Sequence, residues 1–404
     1  MTWDAYQETV LPQNVDLRTS IAMVHSEYNI RNQTSEFFFS REHSPGLPDS
    51  CHWSRHLCQE NSEVSLPGNH MINDPVLIND WHPVARTMDL DSQPILSVRL
   101  LGEDIVLWKS GDRYLAWQDL CIHRGSKLSG GKIIGQDLRC PYHGWTYNRE
   151  GVCVQIPAHP EQAPPTKAKV KTYRIREKYE MLWVCLGEPA GDVPPFPEWE
   201  QEGYTWAVCN PIPHVPAHGP RLIENFLDVA HFPFVHEGVL GDQAHPEIED
   251  YEVRMGAEGI ESDPVYIYQP AQYGTTGGGK VSYIYRAFRP FTAHMTKHVP
   301  AGWWGPEAPS ATHGLMLTLT PHDELDSTVW FLISSTMWKD PDVLQREYTQ
   351  RITAIFEEDR AIVLSQRPEL LPLDLQAELH LKSDRVAIAY RTWLRQLGLR
   401  FGTA

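Results

Sequence analysis

Between residues 95 and 120 the chain alternates in short runs. ILSVRLL (95–101), DIVLWKS (104–110) and RYLAWQDL (113–120) are β-rich stretches separated by turns at Gly102 and Gly111. That is the pattern of a small antiparallel β domain. It continues through KIIGQDLRC (132–140) and WTYNREGVCVQIP (145–157) to LWVCLGEP (182–189), and the Pro-rich stretch GDVPPFPEWE (191–200) then reads as a linker. In the second half the period changes. RLIENFLDVAHF (221–232) has helical spacing, whereas 280–298, 312–322 and 327–338 read as strands of a larger antiparallel sheet. DPDVLQREYTQRITAIFEEDRAIVLSQR (340–367) predicts a long amphipathic helix, opened by an Asp-Pro capping signal and stopped before Pro368. A last helix fits 384–397. The fold class is therefore α+β, with an antiparallel β domain at 71–198 and a domain of antiparallel sheet and long helix at 199–404.

Residues 1–70 differ from the rest. They hold no lysine, four arginines and nine acids, with little periodicity. We expect this extension to be poorly ordered or dispensable, with Met71 a natural beginning. No run approaches the roughly 20 apolar residues that a membrane helix needs, and MTWDAYQETV lacks the basic and apolar regions of a secretory signal. Net charge is −17, which argues against nucleic acid or anionic lipid as partner. Applied to small molecules, the same charge mildly favours a neutral or cationic substrate. Seven cysteines without an export signal read as thiols or metal ligands of a cytoplasmic protein. Cys153, Cys185 and Cys209 are expected to be buried and inert.

Two motifs carry chemistry. The first is Cys121-Ile122-His123 followed, after sixteen residues, by Cys140-Pro141-Tyr142-His143. Two thiolates suit one iron and two imidazoles the other, the Rieske form of a 2Fe–2S centre. A structural zinc site is the alternative, since zinc also takes two Cys and two His. Cys-x-His is an uncommon zinc spacing, and zinc gives no reason for Gly125, Pro141 and Gly144 to flank the loops. The second motif runs from Glu224 to His236. Asp228 and His231 are three apart and would share a helix face. His231 and His236 are five apart, about 140° on an ideal helix, but Pro233 between them should kink or end the helix and turn His236 back. Two histidines need one carboxylate for a 2-His-1-carboxylate triad that leaves room for O2. Asp359 in FEEDRAIVLSQ is the best supplier. Only one of Glu357, Glu358 and Asp359 should point at the site, and spacing alone does not decide which. Tyr283, Tyr285, Phe288, Phe291, Trp303 and Trp304 are candidate cavity-lining aromatics, with core packing the alternative for each.

Together and in this order, the two motifs resemble the large (α) subunits of Rieske non-heme iron oxygenases, over roughly Leu77 to Gly402. VCVQIPAHP (152–160), YEMLWVCLGEP (179–189), DVAHFPFVHEG (228–238) and SDRVAIAYRTWLRQLG (383–398) look closest to one phenylpropionate-dioxygenase-like branch. That branch holds the purine-alkaloid N-demethylases and the saxitoxin-pathway hydroxylases. The resemblance implies a Rieske domain, a helix-grip catalytic domain and a homotrimer in which one subunit's cluster feeds the next subunit's iron. It places Cys121 and Cys140 on one iron of the cluster, His123 and His143 on the other, and mononuclear Fe(II) on His231, His236 and Asp359. It makes Asp228 a bridge from His231 to His143 of the neighbouring subunit and puts Asn225 near the iron. The implied activity is O2-dependent hydroxylation or oxidative demethylation of a small organic substrate, with alkaloid-like molecules among the candidates. Electrons would come from NAD(P)H through a separate flavin and iron–sulfur reductase, since no G-x-G-x-x-G opens a helix here. An arene cis-dihydroxylating dioxygenase, or a Rieske electron carrier without oxygenase activity, are the rival readings.

Overall fold

The structure, a computed structural model, describes residues 72–270, 278–303 and 306–404. The extension 1–70, with Cys51 and Cys58 and the expectation that it is dispensable, lies outside the described residues, as does Trp304. The runs read as strands in the first half do pair. β1 (His82–Arg86), β2 (Ile95–Leu100), β3 (Glu103–Ser110), β4 (Arg113–Gln118), β9 (Thr172–Lys178) and β10 (Met181–Cys185) form one antiparallel sheet in the order β1-β10-β9-β4-β3-β2. Between β4 and β9 the chain makes a smaller sheet from β5 (Lys132–Ile134), β6 (Asp137–Arg139), β7 (Thr146–Tyr147) and β8 (Cys153–Gln155).

The second half builds a nine-stranded antiparallel sheet. Its main path runs β11 (Thr205–Val208), β19 (Asp326–Ser335), β18 (Ala311–Asp323), β17 (Thr292–Val299), β16 (Gly279–Arg289), β14 (Gly259–Ser262), β13 (Val253–Gly256). β12 (Ile212–Val215) also pairs with β19, and β15 (Val265–Gln269) with β16. Along β16, Val281, Tyr283, Tyr285 and Ala287 are buried and the residues between them are not, the period-two signature of a sheet with one covered face. β18 and β19 read instead as continuous apolar runs because both of their faces are covered. Leu315, Leu317, Phe331 and Ile333 join the core with the long helix, while Met316, Trp330 and Leu332 pack with Trp81, Trp183 and Phe196.

Four helices matter for the site. They are α1 (Gly219–Leu227), the short α2 (Phe232–Val235), the long α3 (Pro341–Ser365) and α4 (Arg385–Leu397). Asp340 caps α3, accepting from the backbone N–H groups of Asp342 and Val343 at 2.9 and 3.2 Å. Leu344, Ile352, Phe356 and Val363 are its buried stripe, and Phe356 meets Phe331 of β19 edge-on at 6.2 Å. Each such buried side chain stabilises the docking by about 1.5–3 kcal/mol. α1 is locked to α4 through buried charges. Arg391 Nη2 lies 2.8 Å from Glu224 and 2.6 Å from Glu378, and Arg221 Nη2 lies 3.0 Å from Glu378.

Two expectations need correction. GDVPPFPEWE connects the two halves but is no free linker. Val193, Phe196 and Trp199 are buried, and Glu198 accepts from His294 Nε2 at 2.8 Å and from the Thr296 hydroxyl at 2.5 Å. The aromatic residues among the prolines find apolar partners in both sheets, so the described residues form one compact unit. The helix of 221–232 also ends earlier than Pro233. Asp228 is already extended (φ −96°, ψ 133°), and Pro233 sits in the first turn of α2, where a missing N–H costs nothing. Asp228 and His231 therefore do not share a helix face.

Candidate metal centres and the cavity between sheet and helix

The first Cys-His loop, 121–126, precedes the small sheet, and the second, 140–145, joins its strands β6 and β7. Each is a closed turn: Cys121 N–H donates to Ser126 O and Gly125 N–H to Cys121 O (2.8 and 2.9 Å), and Cys140 N–H donates to Trp145 O (2.8 Å). Gly125 and Gly144 both take φ +71°, a left-handed conformation that glycine adopts without strain. Cys121 and Cys140 are buried, His143 is exposed, and the His123 and His143 rings stand 4.6 Å apart. His123 stacks on Trp145 at 4.5 Å. Its Nδ1 is buried without a hydrogen-bond partner, and an unpaired buried nitrogen beside two buried sulfurs suits a metal cluster. Tyr147 OH lies 3.1 Å from Cys121 Sγ, placed to donate once that sulfur is a thiolate. Cys153 is buried in the same core cluster as Cys121 and Cys140, whereas Cys185 and Cys209 are buried elsewhere, and burial pushes their thiols up to about 11 and 12.

At the second motif, the break after α1 does the positioning. Asp228 accepts from Ala230 N–H at 2.9 Å, folding the chain so that its other oxygen accepts from His231 Nδ1 at 2.9 Å. α2 then carries the chain from His231 to His236. Gly241 lies so close to α2 that a Cβ there would be 2.4 Å from Pro233 N, so a bulkier residue would displace this turn. His231 Nε2 and His236 Nε2 converge on Asp359 Oδ1, at 3.3 and 3.0 Å. The ligand atoms of His231, His236 and Asp359 all lie within 4.8 Å of one another. Both Nε2 atoms are buried and neither has a hydrogen-bond partner. A donor set of two imidazoles and one carboxylate fits a divalent iron. Its electrostatics favour positive charge. Burial opposes protonation of His231, but Asp228 and Asp359 outweigh it and lift that imidazole to about 9. Burial likewise opposes ionisation of Asp359, yet the two imidazoles hold it down at about 2.

One further expectation fails here. Glu358 does not point away: its Oε2 accepts from His236 Nδ1 at 2.6 Å, while Asp359 faces the Nε2 atoms. Neighbouring residues on a helix are about 100° apart, and the His236 ring is wide enough to meet one carboxylate on each nitrogen. Glu357 turns away and pairs with Arg360 at 3.0 Å. No spacing rule identified Glu358, because its role depends on which edge of His236 α3 faces. Asn225, on the last turn of α1, donates to Asp359 Oδ1 at 3.3 Å.

His231, His236 and Asp359 lie at the edge of a cavity between the nine-stranded sheet and α3. Of the candidate aromatics, Tyr283, Tyr285 and Trp303 line it, Tyr283 and Tyr285 being part of the buried core as well. Phe288 and Phe291 do not, packing instead against His294 and Phe401.

Residues 80–174 match the family model of the Rieske [2Fe-2S] domain, and 215–400 match that of the vanillate O-demethylase oxygenase C-terminal domain. Methylxanthine N1-demethylase NdmA of Pseudomonas putida is 31% identical over 348 residues, covering 81% of this chain and 91% of the relative. The chain belongs to the Rieske oxygenases. Its fold agrees with that assignment: the structure of Pseudomonas putida CBB5 NdmA with caffeine superposes with a TM-score of 0.66 at 29% identity, over 79% of this chain and 90% of that one. Dicamba monooxygenase bound to 3,6-dichlorosalicylic acid shares the fold of this Rieske oxygenase (TM-score 0.66, 22% identity, 80% and 97% covered). Oxidoreductase NdmD of Pseudomonas putida is 40% identical over 117 residues, 28% of this Rieske oxygenase and 20% of NdmD.

Proposed function

We propose that this Rieske oxygenase is the terminal component of a monooxygenase that hydroxylates or oxidatively demethylates a small aromatic molecule, using O2 and electrons drawn from NAD(P)H. The observation that carries the reading is the convergence of two unpartnered, buried Nε2 atoms and one carboxylate at the edge of a largely apolar cavity. When bound, a 2Fe–2S cluster and a mononuclear Fe(II) supply one-electron transfer and O2 activation. Cys121 and Cys140 would hold one iron of the cluster and His123 and His143 the other; His231, His236 and Asp359 would hold the mononuclear iron.

The chain's own residues do the rest. Asp228 and Glu358 accept hydrogen bonds from the Nδ1–H groups of His231 and His236, which keeps the proton on Nδ1 and leaves each Nε2 lone pair for the metal. Asn225 steadies the Asp359 carboxylate. Phe226, Leu315, Phe331 and Ile352 give the cavity dry walls. Where the oxidised carbon is a methyl on nitrogen or oxygen, the hydroxymethyl product collapses to formaldehyde and the demethylated compound. The name of NdmA, an N-demethylase, supports that outcome. A separate reductase is part of the proposal, because this chain covers only a fifth of NdmD and most of such an oxidoreductase has no counterpart here.

The reading includes a homotrimer in the cytoplasm, with Asp228 also reaching His143 of a neighbouring copy. The exposure of His143 beside exposed Tyr142 and Ile122 supports a contact at the cluster edge. Among the described residues no helix is long and apolar enough to cross a membrane. The test is O2 consumption with a surrogate reductase over a panel of N-methyl, O-methyl and alkaloid compounds. Substrate-dependent uptake matched by hydroxylated or demethylated product is expected. Iron content of about two per chain, with no uptake for any compound, would reduce the protein to an electron carrier.

A further inference from the structure

The sheet side of the cavity carries a lysine in largely apolar surroundings. Lys297, on β17, is half-buried yet deep in the fold, as a side chain facing an internal cavity is. Its Nζ donates to Gln269 Oε1 at 2.8 Å and lies 5.8 Å from the centre of the Tyr283 ring. Gln269 is itself held in place, donating to Tyr283 OH at 2.7 Å and to Leu240 O at 3.1 Å. Among the described residues Lys297 makes no ion pair. Arg351 lines the same cavity from α3. Burial, and then the Arg351 guanidinium, push Lys297 down to about 7. His313 contributes no charge, since burial and then Lys297 and Arg351 push it down to about 3.

Among the described residues the one carboxylate lining the cavity is Asp359, which faces the two histidines. An ammonium away from water and without a counter-ion is costly, and an anion delivered by a ligand removes that cost. The spacing also has a consequence. Arg351 and Asp359 both line the cavity and are eight residues apart on α3, a rise of about 12 Å. Allowing for the reach of both side chains, that span suits a single ring with an anionic group at one end and an oxidisable carbon at the other.

Resting on the oxygenase reading above, we propose that the substrate is an aromatic anion, a carboxylate or sulfonate, received by Lys297 and Arg351 with its oxidisable carbon toward His231 and His236. This reverses what net charge suggests. The −17 counts every residue of the chain, whereas the cavity itself is lined by Lys297 and Arg351 and, among the described residues, by no carboxylate other than Asp359.

The test is equilibrium binding to the iron-loaded protein without reductase, by calorimetry, with matched pairs: 4-methoxybenzoate against 4-methoxybenzamide, and the 3-methoxy and 4-methyl pairs beside them. At least one acid should bind tenfold or more tightly than its amide, and Lys297→Met should bring that ratio to about one while amide affinity holds. Amides binding as well as acids in every pair, no binding by any acid, or an unchanged ratio in Lys297→Met would overturn the proposal. If Lys297→Met loses its Rieske absorbance and does not fold, the wild-type ratios decide alone. Binding needs no electrons, so failure here leaves the oxygenase reading standing, and failure of O2 uptake leaves this comparison intact.

Discussion

Glu358 tests the logic of the iron site most sharply, because nothing in its sequence position distinguishes it from Glu357. Its carboxylate accepts from His236 Nδ1 at 2.6 Å, as Asp228 accepts from His231 Nδ1 at 2.9 Å. Losing a carboxylate behind a ligand histidine typically weakens metal binding about 10–100-fold, or about 1.4–2.7 kcal/mol. Glu358→Gln keeps an acceptor oxygen in place and removes only the charge, and a charge-assisted bond is roughly twice as strong as a neutral one. The Glu358 side chain is 49% exposed, against 31% for Asp228, so solvent screens it more. We therefore expect the lower end, about a tenfold loss of Fe(II) affinity. The assay is anaerobic Fe(II) titration of protein depleted at the mononuclear site, in competition with a chromophoric chelator, with Rieske absorbance reporting that the fold is intact. Glu357→Gln is the control, since Glu357 pairs with Arg360 and not with a histidine. Unchanged affinity in Glu358→Gln, or an equal loss in Glu357→Gln, would refute the reasoning.

Asp359→Ala should lose mononuclear iron while keeping a normal Rieske spectrum; retention of that iron by metal analysis would move the carboxylate ligand elsewhere. Iron-saturated Asp228→Asn should hold both centres and still be reduced by the reductase, yet turn over slower by orders of magnitude; near-normal O2 uptake would remove the bridge between copies. Tyr147→Phe should lower the cluster potential, because a hydrogen bond worth about 1 kcal/mol more to the reduced cluster is roughly 43 mV for one electron; an unchanged midpoint in a redox titration would show that the hydroxyl does not act on Cys121. Affinity for 4-methoxybenzoate should fall as pH rises through about 7, by at most about tenfold per unit, since above that pH binding must return a proton to Lys297. The groups facing Lys297 from other elements are Gln269, Tyr283, His313, Tyr348 and Arg351, and a pH-independent affinity would mean that Lys297 does not meet the anion.

Local pattern was enough for the elements and for the metal-binding vocabulary. The strands around ILSVRLL and DIVLWKS, the long helix with its Asp340 cap, and the paired Cys-His loops depend on side-chain period, capping chemistry and left-handed glycines, all encoded within a few neighbouring residues. The placement of the helix break was legible only in part, because Pro233 fits the first turn of a helix as readily as it ends one. What the tertiary structure alone decided lies between segments far apart in the chain. The Pro-rich stretch is packed rather than free because Trp81, Trp183 and Trp330 offer it apolar partners. Glu358 reaches His236 across 122 positions, and Lys297 shares a cavity with Arg351 because β17 and α3 face each other. Those pairings are set by the rotation of α3 against the sheet, which depends on the packing of Phe356, Ile352 and Phe331 rather than on any local preference.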